Sequence, residues 1–310
     1  MPADDRLDWD MGLLLILLNP AIVGLLALFL SVLWMLKNQK DKTRPLLVFA
    51  LTLNLVFGFL LTVFMSREGG LLPWKYDPVL FALDRSLGVS AAAIALPLQG
   101  FWKIPLIVIY QLMVPMMICW FLVTEYAKAR GSVVLAYVGE LIAGPIFYAV
   151  LPGCGPIYAF GARWLSPPPI EAGTMKLAAM PNAFPSLHLG TAFVFVLFAP
   201  GRISRAVSLA FLAGTGLATL STGEHYVIDL VAGLAFGCFA ASVGYSNFRR
   251  ALLYLGVVVC WSLTVRFAYP FLIAHPLLLR TMAVLTVAMA VQAVFREWRT
   301  PAGRSDQAAV

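Results

Sequence analysis

Charge is scarce in this chain. Only 12% of its 310 residues are Asp, Glu, Lys or Arg, while 61% are hydrophobic. A soluble domain carries roughly 25% charged residues, so the composition excludes ordinary soluble enzymes and places the chain among polytopic membrane proteins. Cysteine is also sparse. Cys119, Cys238 and Cys260 fall within apolar runs and Cys154 stands alone in a loop, a spacing that suggests neither a disulfide framework nor a zinc site. Internal repeats are absent, and the polar stretch after Thr300 reads as a disordered tail. Histidine is the scarcest functional group, with three in the chain: His188, His225 and His275.

The net charge of +7 does not imply nucleic acid, because the basic residues cluster in short connections between apolar runs, as cytoplasmic loops do. Runs long enough to cross a bilayer fall near 11–36, 45–65, 104–124, 132–150, 186–200, 206–221, 226–245, 251–269 and 276–295. The predicted fold is an all-α integral membrane protein, a bundle of about nine spans. The first run follows Asp4, Asp5, Asp8 and Asp10 and is too long for a signal core, so it reads as a retained anchor. Lys37, Lys40, Lys42, Arg44, Lys128, Arg130, Arg202, Arg205, Arg249, Arg250, Arg296, Arg299 and Arg304 all fall on one side in a nine-span arrangement. That side is expected to be the cytoplasm, with the N-terminus, His188 and His225 on the periplasmic or lumenal side.

The predicted organisation is N-terminal membrane helices over 1–65, an outer interfacial segment over 66–103, a catalytic membrane core over 104–245, and C-terminal membrane helices over 246–300. The tail covers 301–310. Within 66–103, Asp77, Asp84 and Arg85 interrupt an apolar stretch, which suggests a short amphipathic helix lying at the interface or dipping part-way in, with Asp84 and Arg85 as an interfacial pair. The 151–185 loop is rich in turn formers, including Pro152-Gly153-Cys154-Gly155-Pro156 and Pro167-Pro168-Pro169. Its Tyr158, Phe160 and Trp164 suit either an aromatic interface belt or the wall of a headgroup cavity.

The chemistry concentrates at Pro185-Ser186-Leu187-His188 and His225-Tyr226-Val227-Ile228-Asp229. Helices that go into a membrane and return would bring His188 and His225 to one face. Pro185 suits a first helical position, and the free amides around Ser186 and Leu187 would receive a phosphate. His225 and Asp229 are four apart and would share a helical face, the carboxylate fixing the imidazole tautomer. This set suits phosphoryl transfer: His225 as nucleophile, His188 as general acid and then base, Asp229 as orienting partner. Arg163 and Lys176 are candidate phosphate-binding cations, each also readable as an interfacial anchor. No acidic cluster suited to Mg²⁺ is evident on this face, so neither metal nor cofactor is expected. His275, beside Pro276, reads as an interfacial polar residue.

Ala183-Phe184-Pro185-Ser186-Leu187-His188 resembles the second signature of the phosphatidic acid phosphatase type 2 superfamily, and Gly223 through Gly233 resembles its third. Leu187 in place of the usual glycine, together with the His-Tyr-x-x-Asp form, is similar to the inositol phosphorylceramide synthase branch. Tyr76-Asp77-Pro78 through Leu83-Asp84 is similar to an upstream feature of that branch. The resemblance implies a six-helix lipid-phosphatase-like core, with His225, Asp229 and His188 in the roles given above. It implies a lipid phosphoester substrate, with water or an alcohol as acceptor. The Lys-x6-Arg-Pro signature of the lipid phosphatases is missing, and Thr219 stands where their third signature has arginine. These departures favour the inositolphosphotransferase-like branch over an ordinary phosphatidate phosphatase and leave water open as acceptor; simple hydrolysis of a lipid or polyprenyl phosphate is the alternative. A non-enzymatic lipid transporter or scaffold is the outside alternative. The transporter predicts mid-span ionisable pairs and inverted halves, and neither is visible.

Overall fold

A backbone crossing lipid must satisfy its own polar groups, so an apolar chain of this kind resolves into helices. The computed structural model describes residues 43–67, 72–127, 129–166 and 171–299. The expected span at 11–36, the cations Lys37, Lys40, Lys42 and Lys128, Pro167-Pro168-Pro169 and the tail lie outside the described residues.

In chain order the described helices are α1 (Thr43–Arg67), α2 (Asp77–Leu87), α3 (Ala91–Ala95), α4 (Lys103–Gln111), α5 (Met113–Tyr126), α6 (Val133–Val150) and α7 (Pro156–Phe160). They continue as α8 (Leu187–Leu197), α9 (Arg202–Ser221), α10 (Val227–Gly244), α11 (Phe248–Ala274) and α12 (Pro276–Arg299). Strands β1 (Trp74–Lys75) and β2 (Met175–Lys176) pair antiparallel and tie the two outer segments together. Among the described residues, α6, α9, α10, α11 and α12 are each long and apolar enough to cross a membrane. The count reaches seven when two bent pairs are each taken as one span: α2 with α3 and its 3-10 extension, bent by 72°, and α4 with α5, bent by 52°. The protein is an all-α, multi-pass membrane protein.

α10 is the axis of the bundle. Of its spanning window 78% is buried, against 50% for α6 and 28% for α12, because α6, α8, α11 and α12 all pack on it. α8 has only 11 residues, about 17 Å of helix, and would not cross a bilayer unaided. It is tolerated because every residue from Leu189 to Leu197 is buried by protein, leaving little backbone for lipid to meet.

Glycine sets how closely α8 and α10 approach. A Cβ on Gly237 would stand 2.6 Å from the Gly190 carbonyl oxygen, and one on Gly233 would stand 2.7 Å from that of Ser186. The two backbones therefore touch, as small residues spaced four apart allow in membrane helices.

The segment expected as an interfacial or partly inserted helix packs against the bundle. Asp77, Val79, Leu80, Leu83 and Asp84 of α2 are buried, packing on α10, α11 and α12. Asp84 does not pair with Arg85. Neighbouring helical residues point in different directions: Arg85 is exposed, while the Asp84 carboxylate accepts from the Val227 and Ile228 amides at 2.8 and 3.0 Å. A carboxylate from one helix thus caps the free amides at the start of another. Asp77, two turns earlier, accepts from the Gly155 amide at 2.9 Å and the Tyr226 hydroxyl at 3.0 Å. These bonds lock α2 and the Pro-Gly loop onto the start of α10.

Candidate functional site

The site forms where α8 and α10 begin. Ser186, not Pro185, opens α8: its backbone is extended and its hydroxyl accepts from the Leu189 amide at 3.4 Å. Pro185 lies one residue before this cap, so the expected first-position proline is displaced outward. A serine side chain can satisfy an orphan helical amide, which proline cannot. His188 then occupies the second helical position and stands in the first turn, as expected.

His225 and Asp229 come together by a different route from the one their spacing suggests. α10 begins only at Val227, so His225 precedes the helix. Asp229 turns back to accept from the Tyr226 amide at 2.8 Å, and this capping turn leaves its carboxylate 3.5 Å from His225 Nδ1. The hydrogen bond of Nδ1 goes to the Ala183 carbonyl at 2.9 Å. Since a carbonyl only accepts, Nδ1 carries the proton and Nε2 keeps its lone pair. The other Asp229 oxygen, Oδ1, is buried without a hydrogen-bond partner.

The His188 and His225 rings lie 6.2 Å apart between centroids, nearly edge to face. Tyr110 of α4 stacks on His188 with centroids 4.3 Å apart and planes 21° from parallel. Tyr148 of α6 is within electrostatic reach of both Tyr110 and Asp229. At the mouth, the Tyr158 hydroxyl donates to Glu224 at 2.9 Å, and Glu224 faces His225. None of Tyr110, Tyr148 or Glu224 was assigned a site role from the sequence, and Tyr158 only as an interface or cavity-wall aromatic. Glu224 adjoins His225 in the chain and was open to notice, whereas the stacking of Tyr110 depends on how α4 packs and leaves no trace in the sequence.

Burial governs the ionisation here. Desolvation pushes the His225 imidazole down to about 4, opposed by the nearby Glu224 carboxylate and by the Ala183 carbonyl. Glu224 is raised above the usual carboxylate range by burial, and Tyr158 is pushed up to about 12 by burial and by Glu224. His225 is therefore neutral at pH 7.

Ser186 is buried at the cap, and the Leu187 side chain is directed at Gly144 of α6. Arg163 and Lys176 are exposed. His275 stacks loosely on Phe271, with centroids 4.2 Å apart, away from the pair. Among the described residues no group of three or more His, Cys, Asp or Glu is placed to hold a metal.

Two histidines and a carboxylate thus meet at one end of a buried helix pair, inside a multi-pass bundle. The PAP2 superfamily matches residues 78–243, more than half of the chain and all of this site, and the protein belongs to that family. It is accordingly a phosphatase or phosphotransferase acting on a phosphate ester. No curated protein and no solved structure matches the chain.

Proposed function

We propose that this protein cleaves a lipid phosphoester at the outer membrane face through a phosphohistidine, passing the phosphoryl group to an alcohol in the manner of an inositolphosphotransferase. The observation that carries the reading is the His188–His225 pair, 6.2 Å between centroids, with His225 Nδ1 committed to the Ala183 carbonyl. In the first step the Nε2 lone pair of His225 attacks phosphorus, the P–O bond to the leaving alkoxide breaks, and protonated His188 gives that alkoxide its proton. In the second step neutral His188 removes a proton from the acceptor hydroxyl, whose oxygen attacks phosphorus while the P–N bond breaks. Asp229, 3.5 Å from Nδ1, stabilises the cationic imidazole formed on attack. Acid–base help of this kind is worth about 10²- to 10⁴-fold.

The lipid phosphatases' Lys-x6-Arg-Pro signature is missing and Thr219 stands where their third signature has arginine, so less positive charge is available to the phosphate. A singly charged phosphodiester needs less neutralisation than a doubly charged monoester, which supports transfer from a diester over hydrolysis of a monoester. The Leu187 amide and the Ser186 hydroxyl, at the start of α8, are the contacts proposed for the phosphoryl oxygens; the Ser186 amide is taken up by the Asp229 carbonyl at 3.0 Å.

The test is phosphate release and lipid-product mass spectrometry on purified protein with a panel of lipid phosphoesters, with and without inositol, beside His225→Ala. A new headgroup-bearing lipid that is lost in the variant is expected. Phosphate release without a new lipid would make the protein a hydrolase, and unchanged turnover in His225→Ala would sink the mechanism.

A further inference from the structure

The end of the bundle opposite the histidines holds a second built site. α8 and α10 both run from the histidines to this end, about 17 Å away along α8. A cavity of about 280 Å³ opens there, lined by Arg130, Arg205, Arg299, Tyr245, Glu297 and Trp298 among others. Arg130, Arg250 and Arg296 all converge on the single carboxylate of Glu297, at 4.0, 3.1 and 2.9 Å. Glu297 has only 5% of its side chain exposed. One carboxylate cannot neutralise three guanidinium groups, and Arg205 and Arg299 add further positive charge at the same cavity.

Arg205 is held structurally, donating to the Trp298 carbonyl at 3.0 Å with its guanidinium 4.9 Å from that residue's ring. Arg130 and Arg299 are different: neither makes a hydrogen bond among the described residues. Arg130 lies over the Tyr245 ring at 5.3 Å and reaches Glu297 only at 4.0 Å, and Arg299 lies over Phe295 at 6.0 Å. Their donors are open and border the cavity. Guanidinium groups in this setting match phosphate oxygens.

A second feature says what carries the phosphate. An apolar groove of about 820 Å³, with Val123 in its wall, lies between the end of α5 and the start of α9, and it shares Pro200 with the arginine cavity. Leu122, Tyr126 and Ile203 line it and are strongly exposed, at 56%, 94% and 82%. A polar, positively charged chamber joined to an apolar groove fits a molecule with an anionic head and a hydrocarbon chain. Soluble phosphate would use the chamber alone.

We infer that this end of the protein binds an anionic phospholipid, its phosphate between Arg130 and Arg299 and one acyl chain in the Leu122–Ile203 groove. The inference is independent of the reaction proposed at the histidines. It makes the protein a two-leaflet lipid binder, with substrate at one end and a resident lipid at the other.

The experiment is native mass spectrometry of the full chain released from detergent with phosphatidylglycerol or phosphatidylcholine of the same chain length, and separately with glycerol 3-phosphate. Arg130→Ala/Arg299→Ala tests the head site and Val123→Trp the groove, with thermal melting to confirm that each variant is folded. Each basic residue is worth on the order of fivefold toward an anionic headgroup. The wild type should therefore retain phosphatidylglycerol over phosphatidylcholine by at least tenfold, and the double variant should lose most of that preference. Val123→Trp should weaken retention of both lipids. Equal retention of the two lipids by the wild type, or an unchanged preference in a folded double variant, would overturn the site. Glycerol 3-phosphate binding as well as the intact lipid would overturn the lipid assignment in favour of a soluble anion.

Discussion

His225 carries the most information of any single residue, because its two nitrogens have different surroundings. Nδ1 gives its proton to the Ala183 carbonyl, and burial keeps the ring neutral down to about 4. The unfolded imidazole titrates near 6.5. Between about 6.5 and about 4 the unfolded chain binds the extra proton, so this residue's contribution to stability is intact above about 6.5 and is lost as pH falls through that window. The same displacement appears in catalysis. With a nitrophenyl ester, whose leaving group needs no proton, the acidic limb of phosphoenzyme formation should lie well below 6.5, nearer 4. A limb at 6.5 or above would show that His225 is not held neutral by its surroundings. The residue types and their motif were readable in the sequence, but the partner of Nδ1 was not. Asp229 was the expected hydrogen-bond acceptor, and a backbone carbonyl 42 positions earlier takes that role.

At the scale of elements, the separation of the histidines depends on how closely α8 and α10 approach. Gly233→Ala would place a methyl carbon 2.7 Å from the Ser186 carbonyl, which forces the helices apart. Overpacking of this kind costs about 1–3 kcal/mol, and a shift of about 1 Å at a reacting centre can cost 10²-fold in rate. Turnover of the nitrophenyl ester should fall at least tenfold while the protein still purifies as a monodisperse species; a normal rate would show that the contact does not set the site. Asp84 is the second element-level device. Asp84→Ala strands the Val227 and Ile228 amides and should lower stability by about 1–2 kcal/mol, read as a reduced melting temperature in detergent, with Asp84→Asn intermediate. An unchanged melting temperature would show that α2 does not secure the start of α10. The helices themselves were legible from hydropathy, since the runs expected at 132–150, 226–245 and 276–295 return as α6, α10 and α12. The docking of α2 was not, because a pair of carboxylates in an apolar stretch looks alike whether it faces solvent or caps a neighbouring helix.

For the whole molecule, the basic connections expected on one side do meet there: Arg130, Arg250 and Arg296 reach the same carboxylate from the start of α6, the start of α11 and the end of α12. The excess of lysine and arginine at this end predicts that it faces the cytoplasm. Reporter fusions at Asn247 should therefore read as cytoplasmic and fusions at His275 as external; the reverse pattern would overturn the proposed outer-face site. The sequence by itself determined the class: too little charge for a soluble fold, apolar runs of spanning length, and two motif-borne histidines that mark the PAP2 superfamily. Composition and short-range spacing are local properties, so they survive in the linear chain. Only the tertiary structure decided that a helix of 11 residues can serve inside a membrane by being wrapped in protein, and that Tyr110 covers His188. Each of those depends on which faces meet across α4, α6, α8 and α10. Such contacts are set by packing between segments tens to more than a hundred residues apart, which no local pattern encodes.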